Sequence, residues 1–333
     1  MTASSALRPV AVYGAAGHTA RFVLAELRRR GLAAIAVGRN AAKLPTDVPA
    51  RDAAIDDPAA LDAAFAGCAV VINCAGPFLD TAAPVIEAAL RGGAHYLDVT
   101  AEQASAMDTF ERFEAAARAA GVAVIPAAGF YGGLADLLAT SLLGADGAAD
   151  ELTVAVALDR WWPTSGTRVT GERNTFPRLV VADGRLAPLP LPAARSTWTF
   201  GAPHGKQEVV ELTFSEVVTL TRHLRLGAMS AHLTQSSLDE IRDTTTPPPA
   251  ATDALGRSPQ RFEMVVRTRQ GDRVRQATAR GQDIYAVSAP LVVQAAQRLM
   301  APAFARSGAI ALGQAVDAAD FLRALSPEHL ELA

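Results

Sequence analysis

The sequence predicts an α/β protein in which a doubly wound, parallel β-sheet precedes a second, α+β domain built on a mainly antiparallel sheet. Over the first 148 residues short apolar runs alternate with segments of helical periodicity, which is typical of parallel strands buried on both faces. Strand-like runs and turns then dominate, until helical periodicity returns at residue 284. We therefore expect domains at 1–148 and 149–283, and C-terminal helices at 284–333 that pack back on the first domain.

The first domain is predicted to alternate strands with helices. The apolar run 10–13 is typical of a buried strand. Pro58 suits a first helical turn, where its missing N–H is not needed, and Gly92-Gly93 and Gly121 mark helix ends. The predicted strands are 10–13, 33–37, 53–55, 69–72, 95–99 and 122–125, and the predicted helices are 19–30, 58–65, 83–91, 102–120 and 134–143.

The second domain is predicted from alternating residues and turn signals. Gln270-Gly271-Asp272 separates two alternating runs, which is typical of a β-hairpin. The Pro- and Thr-rich segment 244–249 is expected to be an exposed loop. The predicted strands are 152–156, 179–181, 262–267 and 273–279, and the predicted C-terminal helices are 284–300 and 315–325.

Composition excludes several classes of function. The chain has 333 residues and a net charge of -3, so no strong positive field attracts nucleic acid. Its two cysteines, Cys68 and Cys74, are too few for a disulfide framework, and no spacing of ligands predicts a metal site. No apolar run reaches the length of a membrane span, and no signal peptide is recognised. The expected location is the cytoplasm.

The segment Gly14-Ala15-Ala16-Gly17-His18-Thr19-Ala20 lies between a predicted strand and a predicted helix. Glycine at the first position permits a tight turn, and glycine at the fourth lets the backbone approach a pyrophosphate at the helix N-terminus. An ordinary glycine-rich turn is the alternative, but the strand–turn–helix context favours a dinucleotide-binding, Rossmann-type domain. Gly14, Ala16, Gly17, His18 and Thr19 are therefore predicted cofactor-binding residues.

The second predicted strand is followed by Gly38-Arg39-Asn40 rather than by a carboxylate. A carboxylate here would accept hydrogen bonds from the ribose of NAD and would repel a 2′-phosphate, whereas the guanidinium of Arg39 suits that phosphate. The alternative is a surface arginine in a β–α loop. Arg39 and Asn40 predict NADP(H) as the cofactor, with NAD less favoured.

A loop of small residues, Asn73-Cys74-Ala75-Gly76-Pro77-Phe78, follows the fourth predicted strand. Ligands of such sheets bind at the carboxyl ends of the strands, so Cys74, Ala75, Gly76 and Pro77 are predicted to line the dinucleotide. Cys74 is interpreted as a small apolar wall rather than as a nucleophile, because no histidine lies near it in sequence.

These residues resemble those of the saccharopine dehydrogenase-like oxidoreductases, including the trans-acting enoyl reductase branch. The resemblance implies a Rossmann domain, a mixed second domain around an antiparallel sheet, and a nicotinamide cofactor. The motifs that carry it crowd into the first 140 residues, with weaker likeness later. They are 14–21, 38–40 with Lys43-Leu44, 73–78, 95–100 with Glu102, 126–130, 166–168 and 317–322.

One position departs from the pattern of the family. Tyr131 stands after Gly129-Phe130 where the family often has an aspartate, which predicts a divergent substrate pocket or an altered proton donor. Tyr131 is the first candidate for the catalytic proton donor, and the alternative is a packed tyrosine. Asp98, the second catalytic candidate, is predicted to orient the nicotinamide ribose or a substrate amine.

Three further sequence features concern the site. Thr100 and Glu102 are predicted cofactor-binding residues, although a helix-start role for Glu102 is equally compatible with its position. The segment 161–163, Trp-Trp-Pro, is a candidate wall of an apolar substrate site, or an ordinary pair of buried aromatic residues.

Together the features predict an NADP-dependent oxidoreductase that reduces or oxidises a polarised C=N, C=O or activated C=C bond of a small organic molecule. The alternative from another class is a non-catalytic NADP-binding sensor or partner subunit. A further alternative is a carbohydrate or lipid epimerase that recycles a tightly held dinucleotide. A homodimer is the expected assembly.

Overall fold

The computed structural model describes residues 8–333, so the first seven residues of the predicted first domain lie outside the described residues. The first part of the chain alternates strands and helices. Its elements are β1 (Val10–Tyr13), α1 (His18–Arg29), β2 (Ala34–Gly38), β3 (Ala50–Asp52), α2 (Pro58–Phe65), β4 (Val70–Asn73), α3 (Phe78–Arg91), β5 (His95–Asp98), α4 (Gln103–Ala119), β6 (Ala123–Ile125) and α5 (Ala135–Leu143).

The rest of the chain is richer in strands. Its elements are β7 (Ala148–Leu158), α6 (Ser165–Arg173), β8 (Leu179–Ala182), β9 (Arg185–Pro188), β10 (Arg195–Thr199), β11 (Lys206–Glu211), α7 (Glu216–Thr221), β12 (Arg225–Thr234), α8 (Gln235–Arg242), β13 (Arg261–Gln270), β14 (Arg273–Gln282), α9 (Ser288–Leu299), β15 (Gly308–Ala309), α10 (Leu312–Ala315), α11 (Ala318–Leu325) and β16 (Glu331–Leu332).

The first sheet is parallel, with the strand order β15-β6-β5-β4-β1-β2-β3. Strands β1 and β4 at its centre are buried along their whole length, as expected of strands covered by helices on both faces. The strand order reverses between β1 and β4, and ligands of such sheets bind at this point, outside the carboxyl ends of the strands.

The second sheet has the order β10-β11-β12-β7-β13-β14-β16, with β8 and β9 attached to β12. All its pairs are antiparallel except that between β12 and β7. The fold class predicted from the sequence is confirmed.

The C-terminal segment contributes to both parts of the molecule. Helix α9 packs on α1, β15 extends the first sheet beside β6, and α11 packs on α5. Strand β16 pairs with β14 in the second sheet. No helix within residues 8–333 is long and apolar enough to cross a bilayer.

Two predicted elements of the first domain are displaced, for identifiable reasons. The third strand was expected at 53–55 from its apolar residues but lies at Ala50–Asp52, on the edge of the sheet, where apolar residues are not required. Helix α3 begins at Phe78 rather than at 83, because the carboxylate of Glu102 accepts hydrogen bonds from the amides of Phe78 and Leu79 at 2.8 and 3.2 Å.

Three short helices of the second part, α6, α7 and α8, have no counterpart among the predicted elements. Helix α6 has no buried residue, so it carries no apolar stripe that periodicity could detect. Helix α7 has only six residues, which is too short for a periodic pattern.

The buried carboxylate of Asp136, on α5, joins three segments of the chain. Its Oδ1 lies 2.7 Å from Nε2 of His223, which follows α7, and its Oδ2 accepts a hydrogen bond from the amide of Gly313 at 2.8 Å. Burial by itself lowers the pKa of His223, but the charge and hydrogen bond of Asp136 outweigh burial and raise that pKa above its ordinary value. Protonation of His223 to its imidazolium form therefore stabilises the folded state.

We predict that His223→Gln lowers the free energy of unfolding by roughly 1–3 kcal/mol at about pH 5.5 and by less at about pH 9. The reason is that a raised histidine pKa stabilises the fold fully below the pKa of the unfolded chain, and this contribution is lost as pH rises through the folded pKa. Urea unfolding at both pH values measures the difference. An equal loss at the two values contradicts the prediction.

The matched control is His204→Gln. Burial lowers the pKa of His204, so this substitution should not cost more stability at acidic pH than at alkaline pH.

Candidate functional site

The glycine-rich turn between β1 and α1 has the geometry of an anion site. Gly14 has a φ of 76°, and a Cβ added to it would lie 2.8 Å from Cβ of Ala75 and 2.9 Å from its amide nitrogen. The amide of Gly17 donates to the carbonyl of Gly14 at 2.8 Å, which closes the turn. Gly17 is the N-cap of α1 and no side chain caps the helix, so its first amides are free to bind an anionic group.

An open cleft runs along the carboxyl ends of β1, β2, β3 and β4. Its volume of about 740 Å³ lies within the range usual for small-molecule sites, and its lining residues follow four neighbouring strands, which suits an extended ligand. Predicted cofactor residues lie together along this cleft, and they are Gly14, Ala16, Gly17, His18, Thr19, Arg39, Asn40, Cys74, Ala75 and Gly76. Pro77 is not among the lining residues and is instead the N-cap of α3.

One end of the cleft carries a concentration of positive charge. Arg39 and Lys43 are exposed there, and within residues 8–333 neither makes an ion pair. Asn40 also lies there, but its Oδ1 accepts a hydrogen bond from the amide of Ala42 at 3.0 Å, so this oxygen serves the local turn. Asp56, which the sequence did not single out, follows β3 and lines the same end.

The loop that follows β4 is held by the buried amide side chain of Asn73. Its Oδ1 accepts from the amide of Ala75 at 3.0 Å, and its Nδ2 donates to the hydroxyls of Tyr96 and Thr81, each at 3.2 Å. Cys74 lies between the cleft and a second cavity. Burial, followed by the nearby carboxylate of Asp98, raises the pKa of Cys74 to about 12, so a neutral thiol forms this wall.

Asp98 and Thr100 lie behind the walls of the site rather than in them. Asp98 is fully buried and accepts hydrogen bonds from the amides of Thr100 and Ala127, at 3.0 and 2.7 Å, and from the hydroxyl of Tyr96 at 2.9 Å. Burial raises the pKa of Asp98 to about 6 in spite of these donors. Thr100 is also buried, and its hydroxyl accepts from the amide of Glu102 at 3.0 Å. Neither residue lines the cleft or the second cavity, so the geometry does not fit the predicted contacts of Asp98 with ribose or substrate and of Thr100 with the cofactor.

Glu102 does line the second cavity, but both of its carboxylate oxygens are used by the first amides of α3. Its charge therefore stabilises the N-terminus of a neighbouring helix, and not the helix that Glu102 itself precedes. Burial raises the pKa of Glu102, and the amide hydrogen bonds oppose the shift.

The second cavity, of about 210 Å³, lies between the two sheets, and six of its lining residues are aromatic. It shares Thr19, Cys74, Gly76, Thr164 and Gly166 with the cleft, so the two spaces adjoin. The aromatic lining residues are Phe78, Phe130, Tyr131, Trp161, Phe214 and Tyr285, and we call this space the aromatic cavity.

Tyr131 is positioned in the aromatic cavity by stacking. Its ring lies 4.0 Å from that of Phe214 and 5.9 Å from that of Trp161, centroid to centroid, with interplanar angles of 30° in both pairs. Its hydroxyl is buried and has no hydrogen-bond partner among residues 8–333. Trp161, the first residue of the predicted aromatic wall, donates its indole N–H to the hydroxyl of Tyr285 at 3.1 Å.

Several residues of the aromatic cavity were missed at the sequence level. Arg178 lies in it, with its guanidinium 4.8 Å from the centre of the Phe214 ring. Helix α6 supplies Thr170, together with Thr167 of the segment 166–168 that resembles the family, and Tyr285 enters from the loop before α9. Arg178, Thr170 and Tyr285 lie outside the motifs found in the sequence, so no local signal points to them.

Comparison with known proteins identifies both the first domain and the whole fold. Residues 10–125 match the family described as the saccharopine dehydrogenase NADP-binding domain. No curated protein sequence matches the chain.

Solved structures with the same fold cover nearly the whole chain. Apo saccharopine dehydrogenase (L-Glu forming) from Saccharomyces cerevisiae has a TM-score of 0.65, with 14% identity, over 98% of this chain and 99% of that chain. DAP dehydrogenase from C. glutamicum in complex with DAP has a TM-score of 0.53, with 14% identity, over 97% of both chains. A mutant meso-DAP dehydrogenase from Clostridium tetani E88 has a TM-score of 0.52, with 12% identity, over 96% of this chain and 97% of that chain.

We predict that Gly14→Ala lowers the free energy of unfolding by about 2–4 kcal/mol, because the new methyl group meets Ala75 and φ is positive. Gly31→Ala is the matched control, since Gly31 has a φ of 67° but nothing within 4 Å of an added Cβ. The Gly31→Ala substitution should lower the free energy of unfolding by only about 1 kcal/mol. Denaturant unfolding of both variants measures the contribution of the contact with Ala75. Equal losses of unfolding free energy in the two variants contradict the prediction.

Proposed function

We propose that this protein is a saccharopine dehydrogenase-like, NAD(P)-dependent oxidoreductase that uses NADP(H) to reduce a polarised C=N, C=O or activated C=C bond in a small organic molecule bound in the aromatic cavity. The position of the aromatic cavity directly beside the cleft carries the proposal. A dinucleotide whose pyrophosphate lies at the N-terminus of α1 has one end beside Arg39 and the other near Thr19 and Cys74, where the two spaces meet.

The preference for NADP(H) rests on the charges that follow β2. Arg39 and Lys43 are exposed side chains in the cleft and are free to pair with a 2′-phosphate. No carboxylate stands between Gly38 and Leu44, where an acidic side chain would repel that phosphate. Asp56, which follows β3 and lines the same end of the cleft, is an acceptor for an amino group such as that of adenine.

The aromatic cavity favours a substrate with an apolar or planar body. When bound, the reduced nicotinamide supplies a hydride. The rings of Tyr131, Trp161 and Phe214 form a wall that excludes water, and the guanidinium of Arg178 offers a positive charge to an electron-rich substrate group. We assign Tyr131 as the proton donor, because its hydroxyl is free of other partners within the described residues.

Asp98 and Thr100 are assigned supporting roles in this proposal. Their hydrogen bonds hold the ends of β5 and β6 and the segment that leads to Glu102, and these segments carry the cavity walls. They act as positioning residues. The predicted homodimer and cytoplasmic location stay predictions, and size-exclusion chromatography with light scattering measures the first.

We predict that Arg39→Ser weakens binding of NADPH by about tenfold or more, since a hydrogen bond to a charged group contributes about 1.5–3 kcal/mol. Binding of NADH, which lacks the 2′-phosphate, should change by less than about threefold. Isothermal titration calorimetry with both dinucleotides measures the change. Arg195→Ser, at an exposed arginine of the second domain, is the control and should leave both affinities unchanged. An unchanged NADPH affinity in Arg39→Ser contradicts the assignment.

The reaction is tested by mixing the protein with NADPH and a panel of imines, ketones and enoyl compounds. We expect loss of the reduced nicotinamide absorbance with at least one apolar member of the panel. Binding of NADPH without turnover across the panel contradicts the proposed reaction and favours the sensor. Purification with tightly bound dinucleotide and no net oxidation favours the epimerase.

A further inference from the structure

A second carboxylate is buried directly behind the wall of the aromatic cavity. Glu216 begins helix α7 and is only 2% exposed. Its Oε1 accepts a hydrogen bond from the amide of Phe214 at 2.7 Å, whereas its Oε2 is buried and has no partner among residues 8–333. An acceptor left in this state costs about 1–3 kcal/mol, more if it is charged, so Oε2 requires a donor.

The hydroxyl of Tyr131 is buried and without a partner in the same region. Tyr131 and Glu216 both line a small, nearly closed space behind the aromatic cavity, and Tyr131 lines both spaces. The remaining wall of the small space is mainly apolar, and its aliphatic members are Val154, Val156, Leu212, Ala231, Leu233 and Met264. His232 also lines this space, and its Nδ1 is buried without a partner among residues 8–333. The phenol of Tyr131 is a hydroxyl donor that lines both this space and the aromatic cavity, so it is the group that can link Glu216 to the aromatic cavity.

We propose that Glu216 and Tyr131 form a proton relay that opens into the aromatic cavity, with the carboxyl group of Glu216 coupled to the phenol of Tyr131 through one water molecule. The relay rests on the proposed function for its role in reduction. The coupling of the two side chains does not depend on it. A phenol paired with a carboxyl group satisfies both orphaned oxygens, and a mainly apolar surrounding strengthens the hydrogen bond.

The positions of the two groups set the order of the proton transfers. If bound NADPH supplied a hydride to the electrophilic carbon of the substrate, the electron pair of the double bond would move to its other atom. That atom takes the proton of the Tyr131 hydroxyl, and the phenolate takes the proton of the Glu216 carboxylic acid through the water molecule. The carboxylate regains a proton from water after the product leaves and the aromatic cavity is open to solvent.

The acid strengths suit this order of transfer. Burial raises the pKa of Glu216 to about 7, and the amide of Phe214 and the charge of Arg178 limit the rise. Burial, followed by the nearby Glu216 and Tyr285, raises the pKa of Tyr131 well above its ordinary value. At neutral pH the phenol is therefore fully protonated, while the carboxyl group is divided between its two forms, as a proton reservoir requires.

Other titratable groups lie around α7. Arg222 and His223, which follow the helix, pair with Glu114 of α4 and Asp136 of α5. His232, on β12, stacks against Trp198 at 6.3 Å and has its Nε2 3.2 Å from the hydroxyl of Ser230, while its Nδ1 has no partner among residues 8–333. Burial lowers the pKa of His232, so a neutral imidazole faces the small space. Arg178 remains as the charged group that acts on both members of the relay.

Infrared difference spectroscopy of the whole protein, without substrate or cofactor, tests the coupling. We expect a protonated carboxylic acid band that disappears as pH rises through about 7, that is absent in Glu216→Gln, and that shifts in Tyr131→Phe. Glu208→Gln, at an exposed glutamate on β11, is the matched control and should leave the band unchanged. A separate band from Asp98, whose pKa burial raises to about 6, should persist in Glu216→Gln. A band lost near pH 7 that survives in Glu216→Gln, or that does not respond to Tyr131→Phe, overturns the coupling.

Single-turnover reduction of a substrate found in the panel tests the transfer. We expect Glu216→Gln to bind NADPH with unchanged affinity and to reduce substrate about 100-fold more slowly, without the fall in rate above about pH 7 that the wild type should show. An unchanged pH–rate profile in Glu216→Gln overturns the relay. Absence of NADPH binding or of any substrate in the wild type contradicts the proposed function instead, and the infrared result still decides the coupling.

Discussion

The carboxylate of Asp98 is the constraint on which the site depends, because it joins segments that leave neighbouring strands of the first sheet. It accepts from Tyr96 on β5, from Thr100 beyond β5 and from Ala127 beyond β6, while Tyr96 in turn accepts from Asn73 at the end of β4. Parallel strands end at the same edge of a sheet, and their backbone groups there need new partners. One buried acid supplies these partners and sets the positions of the cleft and cavity walls together.

The second domain completes the site, and helix α6 makes contacts with the loop after β4 and with helix α3. Gly76 lies so close to α6 that an added Cβ would lie 2.9 Å from the hydroxyl of Thr170. The ion pair between Arg173 and Asp80, at 2.8 Å, joins side chains that are 57% and 44% exposed, so it contributes little to stability. Helix α6 therefore covers the site by close packing at Gly76 and by hydrogen bonds of Thr167 with Tyr285 and of Arg168 with the carbonyls of Asp243 and Thr246.

Local patterns in the sequence encode the glycine turn and the loops that line the cleft, but only part of the aromatic cavity. The turn from Gly14 to Thr19 could be predicted because its conformation and spacing are encoded in consecutive residues. Asp98 and Thr100 were predicted as contacts and lie behind the walls, because sequence position does not reveal which direction a side chain faces at the end of a strand. Glu102 was placed at a helix start correctly, but it serves the helix α3.

The sequence by itself determined the alternation of strands and helices, the glycine turn, the cation at position 39 and the divergence at Tyr131, since each depends on neighbours within a few residues. Only the tertiary structure decided that Tyr131, Phe214 and Glu216 lie together and that Arg178 faces the same space. Packing of the second sheet against the first brings these residues into contact across long stretches of chain. Burial then changes their acid strengths, and burial is a property of the assembled core that no local motif encodes.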